Sequence, residues 1–180
     1  MENPVDAATG ESGGQIVVAG AGYAGLHVAL RLTAKLRNHP KMELTLVDQH
    51  DYHQAITELP RVAGGTRAAD AVRIPLQDML AERVRFVQTE ITGFDLAGRR
   101  LLTAAGPIGW RRLVLALGSG PNDFGIPGLA QRTLSLYSAS DAERVRAAVS
   151  EALTAAPDPG RQRRLDDSRP AGAFCHRLIT

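Results

Sequence analysis

Apolar positions change their period twice between Gln15 and Asp48. Gln15–Ala19, QIVVA, is a short continuous apolar run rich in β-branched residues and predicts a buried strand. A glycine cluster breaks it. From Tyr23 to Leu36 the small and apolar residues Gly25, Ala29, Leu32 and Leu36 recur at helical spacing, and Asn38, His39 and Pro40 end that helix. Glu43–Asp48, ELTLVD, is a second strand. Strand, helix and strand in this order form one βαβ unit, whose two strands run parallel.

The pattern then loosens. Gln49–Arg67 mixes helical and loop signals and is punctuated by Pro60 and Gly64-Gly65. A short helix is expected at Leu76–Glu82, then a strand at Val84–Thr89. A hairpin follows, from Ile91–Asp95 to Arg100–Thr103, turning at LAGR. Arg112–Leu117 is a further strand and ends, like the first, in glycine. A glycine- and proline-rich loop covers Gly118–Gly128. Ser140, with Glu143 three residues later, predicts a capping box opening a helix that runs to about Leu153. APDPG breaks the chain after it. The last sixteen residues, LDDSRPAGAFCHRLIT, carry no strand or helix period. The fold class is α/β.

Composition narrows the function classes. The chain has 180 residues, enough for one domain with a real core and little more. A net charge of +2 and only 4% aromatic residues argue against nucleic acid, because neither a basic stripe nor a base-stacking surface can be assembled. The single cysteine, Cys175, excludes an internal disulfide or a Cys-x-x-Cys pair and suggests a reducing compartment. The start, MENPVDAATGESGG, is acidic and polar, reading as a disordered lead-in and not as a secretory signal. No run is long enough to span a bilayer, so a cytoplasmic location is expected. His27, His39, His50, His53 and His176 lack metal-ligand spacing, so no metal is expected. His27 is placed on the outer face of the first helix, His39 at its end, and His53 in a structural role. Ser119 is not in a nucleophile elbow.

The chemistry lies in Gly20-x-Gly22-x-x-Gly25. Gly20 allows a tight turn out of the strand. Gly22, without a Cβ, lets a pyrophosphate approach the backbone, and Gly25 lets helix and sheet pack closely. The helix N-terminus then directs its amides at the phosphates. Asp48, ending the second strand, is placed to accept both ribose hydroxyls of an adenosine and to repel a 2′-phosphate. The fingerprint by itself leaves FAD and NAD both open.

Several motifs agree in order. IVVAGAGYAGLHVALRL, YHQAITELPRVAGG, VRIPLQDML, LVLALGSGPNDFGIPGL and SASDAERVRAAV resemble the type II NADH dehydrogenases, the non-pumping NADH:quinone oxidoreductases among the two-dinucleotide-binding FAD/NAD(P) flavoproteins. The resemblance covers Gln15 to Arg164. It implies a Rossmann-like FAD-binding domain with a central parallel sheet and a β-meander insertion. It places Gly20, Gly22, Tyr23, Ala24 and Gly25 at the FAD pyrophosphate and Asp48 at the ribose. It places the Ile91 backbone at the adenine, Ala116, Leu117 and Gly118 over the cofactor, and Thr57 near the flavin. Where many relatives carry Gln-Pro, this chain has Ile56-Thr57. The cysteine that disulfide-reducing relatives carry after the second strand is absent from DQHDYHQAITEL.

In the family, hydride passes from NADH to FAD and electrons pass on to a quinone. The reaction needs a second Rossmann domain for NADH, a returning Gly-Asp segment, and C-terminal helices that attach peripherally to the cytoplasmic membrane face. The resemblance therefore implies an N-terminal portion only: a lead-in over 1–14, a partial FAD-binding domain over 15–156, and a linker with an atypical tail over 157–180. The residue class changes abruptly near Asp166, which suggests a shifted or truncated coding frame there. No catalytic acid, base or nucleophile is identified. Three other readings remain: a dinucleotide-binding module without catalysis, an inert fragment, and a glycine turn that binds NAD instead of FAD.

Overall fold

The computed structural model describes residues 14–155. In chain order its elements are β1 (Gln15–Ala19), α1 (Tyr23–Lys35), β2 (Glu43–Asp48), β3 (Tyr52–Gln54), α2 (Leu59–Ala63), β4 (Arg73–Pro75), β5 (Val84–Gln88), β6 (Ile91–Asp95), β7 (Arg100–Thr103), β8 (Ile108–Gly109), β9 (Arg112–Leu115), α3 (Leu129–Arg132) and α4 (Ala139–Ala155). The chain forms two compact units. One comprises the described residues up to His53 together with Ile74–Ser119; the other comprises Gln54–Arg73 and the described residues from Gly120 onward.

The first unit is built on a four-stranded parallel sheet in the order β5-β2-β1-β9. Its apolar strands are explained by cover on both faces. Alternate residues point to opposite sides. Ile16, Val18, Leu44, Leu46 and Val84 join Leu26 and Ala29 of α1 and Leu36 just beyond it in one core. Val17, Ala19 and Val47 join Leu101 of the antiparallel meander β6-β7-β8 in another. Helix, sheet and meander are thus stacked as three layers. The expected βαβ unit, parallel sheet and hairpin are all present, and β8 extends the hairpin into a meander.

The turn between β1 and α1 is crowded backbone against backbone. Gly20 has φ +101°, which side chains rarely tolerate, and a Cβ there would meet the Ala116 carbonyl. Its N–H donates to Val47 O at 2.8 Å. A Cβ on Gly25 would strike the Gly20 carbonyl and come within 3.2 Å of the Ala116 Cβ. Helix α1, the turn and the end of β9 are therefore fitted together with no spare volume.

Three local expectations are corrected. The helix expected at Leu76–Glu82 is a single 3₁₀ turn at Leu76–Asp78. Its N–H groups at Met79 and Leu80 both donate to Leu76 O. One turn already directs Leu76, Met79 and Leu80 into the α1-side core. The strand expected at Arg112–Leu117 ends its regular pairing at Leu115, although Ala116 N–H still donates to Ala19 O at 2.8 Å. The capping box lies two residues earlier than Ser140 and Glu143. Ser138 Oγ accepts the Asp141 N–H at 3.1 Å, and Asp141 Oδ2 accepts the Ser138 N–H at 2.9 Å. Asp141 takes the capping carboxylate's role because it is buried, whereas Glu143 is exposed. The lead-in over 1–14 falls outside the described residues except for Gly14, as do Cys175, His176 and the tail over 157–180.

In the second unit, Leu59 and Val62 of α2 pack with Val72 and with Ala139 and Ala142 of α4. Asp141 anchors the start of α4. Burial raises its carboxyl pKa, but hydrogen bonds from Arg144, the Tyr137 N–H, Ser135 and the Ser138 N–H outweigh this and hold it at about 2.

Two consequences are measurable. A carboxyl held at about 2, below its ordinary value near 4, lends stability that is full above about pH 4 and is lost as the pH falls toward 2. Asp141→Ala should lower the melting temperature at neutral pH, by about 1 kcal/mol in free energy, with the difference from the parent shrinking in acid. Circular dichroism melts across that pH range provide the check, and a constant difference would contradict the assignment. Gly25→Ala should destabilise the first unit by about 1–3 kcal/mol, because backbone atoms cannot yield as side chains do; an unchanged urea midpoint would refute the crowding described.

Candidate functional site

The C-terminal ends of parallel strands are where open α/β sheets bind ligands, and most of the residues singled out in the sequence gather there. Gly20 and Gly22 form the turn leaving β1. Gly22 is the N-cap of α1, with φ −66° and no side-chain capping bond, and the first turn carries no acidic residue. The first-turn amides have no partner within the helix. Around Gly22 a Cβ would meet nothing within 4 Å. This is the opposite of Gly20 and Gly25: the space over Gly22 is open. Tyr23 and Ala24 are exposed beside it. An uncapped helix end beneath open space, with no competing carboxylate in its first turn, suits an anionic phosphate.

Asp48 ends β2 facing this turn. Its Oδ2 accepts the Ala21 N–H at 2.6 Å, and its Oδ1 accepts the His50 N–H at 2.9 Å. The His50 ring lies 3.5 Å from Oδ1. The carboxylate expected to meet a ribose is therefore also a strut for the glycine turn. Each carboxylate oxygen can accept more than one hydrogen bond, so the strut leaves acceptor capacity for hydroxyl donors.

His53 supplies a contact that sequence spacing did not show. It is 5% exposed, and its Nδ1 lies 3.1 Å from the Ala21 carbonyl. Its ring meets the edge of Tyr23 at 4.6 Å between centroids, with planes 80° apart. The sequence signal was the Tyr52-His53 pair, but nothing in it pointed back to Ala21.

Ala116 sits against both Gly20 and Gly25, Leu117 follows it, and Gly118 turns the chain away with φ +74°. Ile91 begins β6 opposite Thr103, and its side chain packs on the meander-side core. Thr57 belongs to the second unit, on the single turn Ile56–Glu58. A cleft of about 410 Å³ in the first unit lies away from the glycine turn, between Gln15, Thr45 and Arg85 on the sheet and Thr103 and Gly106 on the meander. It is lined by none of the residues singled out for the dinucleotide. Among the described residues no cluster of His, Cys, Asp or Glu could hold a metal ion, and no helix is long and apolar enough to cross a membrane.

Comparison with known proteins agrees with this geometry. The pyridine nucleotide-disulphide oxidoreductase family matches residues 14–156. The type II NADH:quinone oxidoreductase of Staphylococcus aureus (strain NCTC 8325 / PS 47) is 32% identical over 123 residues, which is 68% of this chain and 30% of that protein. The chain thus spans about a third of the length of the curated relatives it matches. Among solved structures, the sulfide:quinone oxidoreductase of Aquifex aeolicus superposes with a TM-score of 0.68 at 22% identity, over 79% of this chain and 33% of that one. NDH2 from Plasmodium falciparum, solved in complex with NADH, gives a TM-score of 0.65 at 20% identity, over 74% of this chain and 28% of that one. The two structural likenesses establish a shared fold. With its family match running the length of the glycine turn, the sheet and the meander, the chain belongs to the pyridine nucleotide-disulphide oxidoreductase family.

Proposed function

We propose that this chain is the FAD-binding portion of an NADH oxidoreductase whose electrons pass to a quinone. The observation that carries the reading is the turn Gly20–Gly25, closed by backbone at Gly20 and Gly25 and open at Gly22, beneath an uncapped helix end. Its residues fit a dinucleotide. Gly22, Tyr23 and Ala24 would face the diphosphate, Asp48 would share its carboxylate between the Ala21 N–H and the ribose, and Ala116–Gly118 would border the cofactor. When bound, FAD would supply the hydride-accepting and electron-transferring chemistry, while the protein supplies position and electrostatics. Asp48 would discriminate against an extra phosphate on the adenosine ribose by charge repulsion. The quinone and NADH in this reading follow from the likeness to the type II NADH:quinone oxidoreductase of Staphylococcus aureus. Attachment to the cytoplasmic membrane face belongs to the same reading.

A second reading is a dinucleotide-binding module without turnover. Hydride transfer requires the nicotinamide to be held in reach of its acceptor.

Purified chain should retain a yellow flavin. NADH oxidation with an added quinone supports the enzyme reading, flavin without turnover supports the module, and a colourless protein that binds NAD rejects FAD. Gly22→Val separates folding from binding, since the space over Gly22 is free and its φ is ordinary. This variant should melt close to the parent and bind FAD at least about tenfold more weakly, about 1.4 kcal/mol. Unchanged flavin affinity would remove Gly22 from the phosphate site.

A further inference from the structure

Ala21 lies between the first two glycines of the turn and is 2% exposed. Both of its backbone groups are held from the same following segment. Its N–H donates to Asp48 Oδ2 at 2.6 Å, and its carbonyl lies 3.1 Å from His53 Nδ1. A carbonyl can only accept, so His53 carries a hydrogen on Nδ1 and acts as the donor. The adjacent Gly20 N–H is held by Val47 O at 2.8 Å. Asp48 at the end of β2 and His53 on β3 therefore hold the two successive peptides that flank the Ala21 Cα, one through its N–H and the other through its carbonyl. The His53 ring also meets the edge of Tyr23, the first residue of α1, fixing the imidazole between the turn and the helix start.

We propose that His53 is a positioning residue for the phosphate-binding turn: with Asp48 it clamps Ala21 and sets the turn in its ligand-ready shape before any dinucleotide arrives. The inference rests on the dinucleotide reading for its purpose, though not for its geometry. An ordered turn lowers the conformational cost that binding would otherwise carry. Loss of the donor also leaves a buried carbonyl unsatisfied, which favours a different turn conformation.

The test uses the whole chain and two substitutions. His53→Phe keeps a ring against Tyr23 and removes the donor. His53→Asn restores an N–H near the Nδ1 position. Amide hydrogen exchange without cofactor reads the clamp directly, and FAD titration reads its effect on binding. In the parent, the Ala21 amide should be protected to the same degree as the β1 amides. His53→Phe should speed exchange at Ala21 by about tenfold and weaken FAD by about the same factor, and His53→Asn should recover most of both. An unprotected Ala21 amide in the parent, or exchange and FAD affinity in His53→Phe within twofold of the parent, overturns the proposal. If His53→Phe does not fold, parent protection and His53→Asn decide it. If the parent binds no FAD, the cofactor reading fails while the exchange measurement still decides the clamp.

Discussion

Helix α1 reaches the turn after β1 only because Gly25 has no side chain. Its Cα stands where any Cβ would enter the Gly20 carbonyl, and Ala116 closes the remaining side. This contact fixes more than a glycine. It sets how close α1 lies to the sheet, which lets Leu26 and Ala29 reach Ile16, Val18 and Leu46. It brings the end of β9 beside β1, where Ala116 N–H still bonds to Ala19 O. It also aims the first turn of α1 at the open space above Gly22. The core and the candidate site thus share one backbone contact, and the same crowding that orders the interior leaves one side of the turn empty.

The polar groups around that turn are arranged to complement it. No acidic side chain occupies the first turn of α1, so the positive end of the helix dipole remains available to an anion. The nearby carboxylate, Asp48, is displaced to the end of β2 and occupied in part by the Ala21 and His50 N–H groups. A negative charge is thereby kept close enough to order the turn without capping the helix. In the proposed site this carboxylate would meet hydroxyl donors and repel a further phosphate, so a local structural bond would also bear on selectivity between nucleotides.

Much of this could be read from residue order. QIVVA and ELTLVD announced buried strands because both faces of a parallel sheet are covered, and the spacing of Gly25, Ala29 and Leu36 announced the helix between them. LAGR marked the hairpin, since Asp95 and Arg100 close that turn through an ion pair of 2.7 Å. The segments that resisted reading are those whose shape depends on distant neighbours. Leu76–Glu82 carries a helical signal, yet one turn suffices to bury its three apolar residues. The cap of α4 was expected at Ser140 with Glu143, but the structure forms it at Ser138 with the buried Asp141. Strands β3 and β4 are too short to show a period.

The candidate site divides in the same way. Gly20, Gly22, Gly25 and Asp48 were legible because the chemistry of a phosphate turn constrains residue type at near-fixed spacing along one βαβ unit. Motif resemblance placed Ala116 over the cofactor, and not as the wall of the turn; its contact with both glycines exists only once β9 lies beside β1. His53 could not be placed on Ala21 from the chain order, because thirty-two positions separate them and no local periodicity joins them. The sequence by itself determined the strand–turn–helix and the absence of side chains where backbone must meet backbone. Only the tertiary structure decided which distant groups hold the turn, because hydrogen bonds and packing depend on spatial proximity that local residue patterns do not encode.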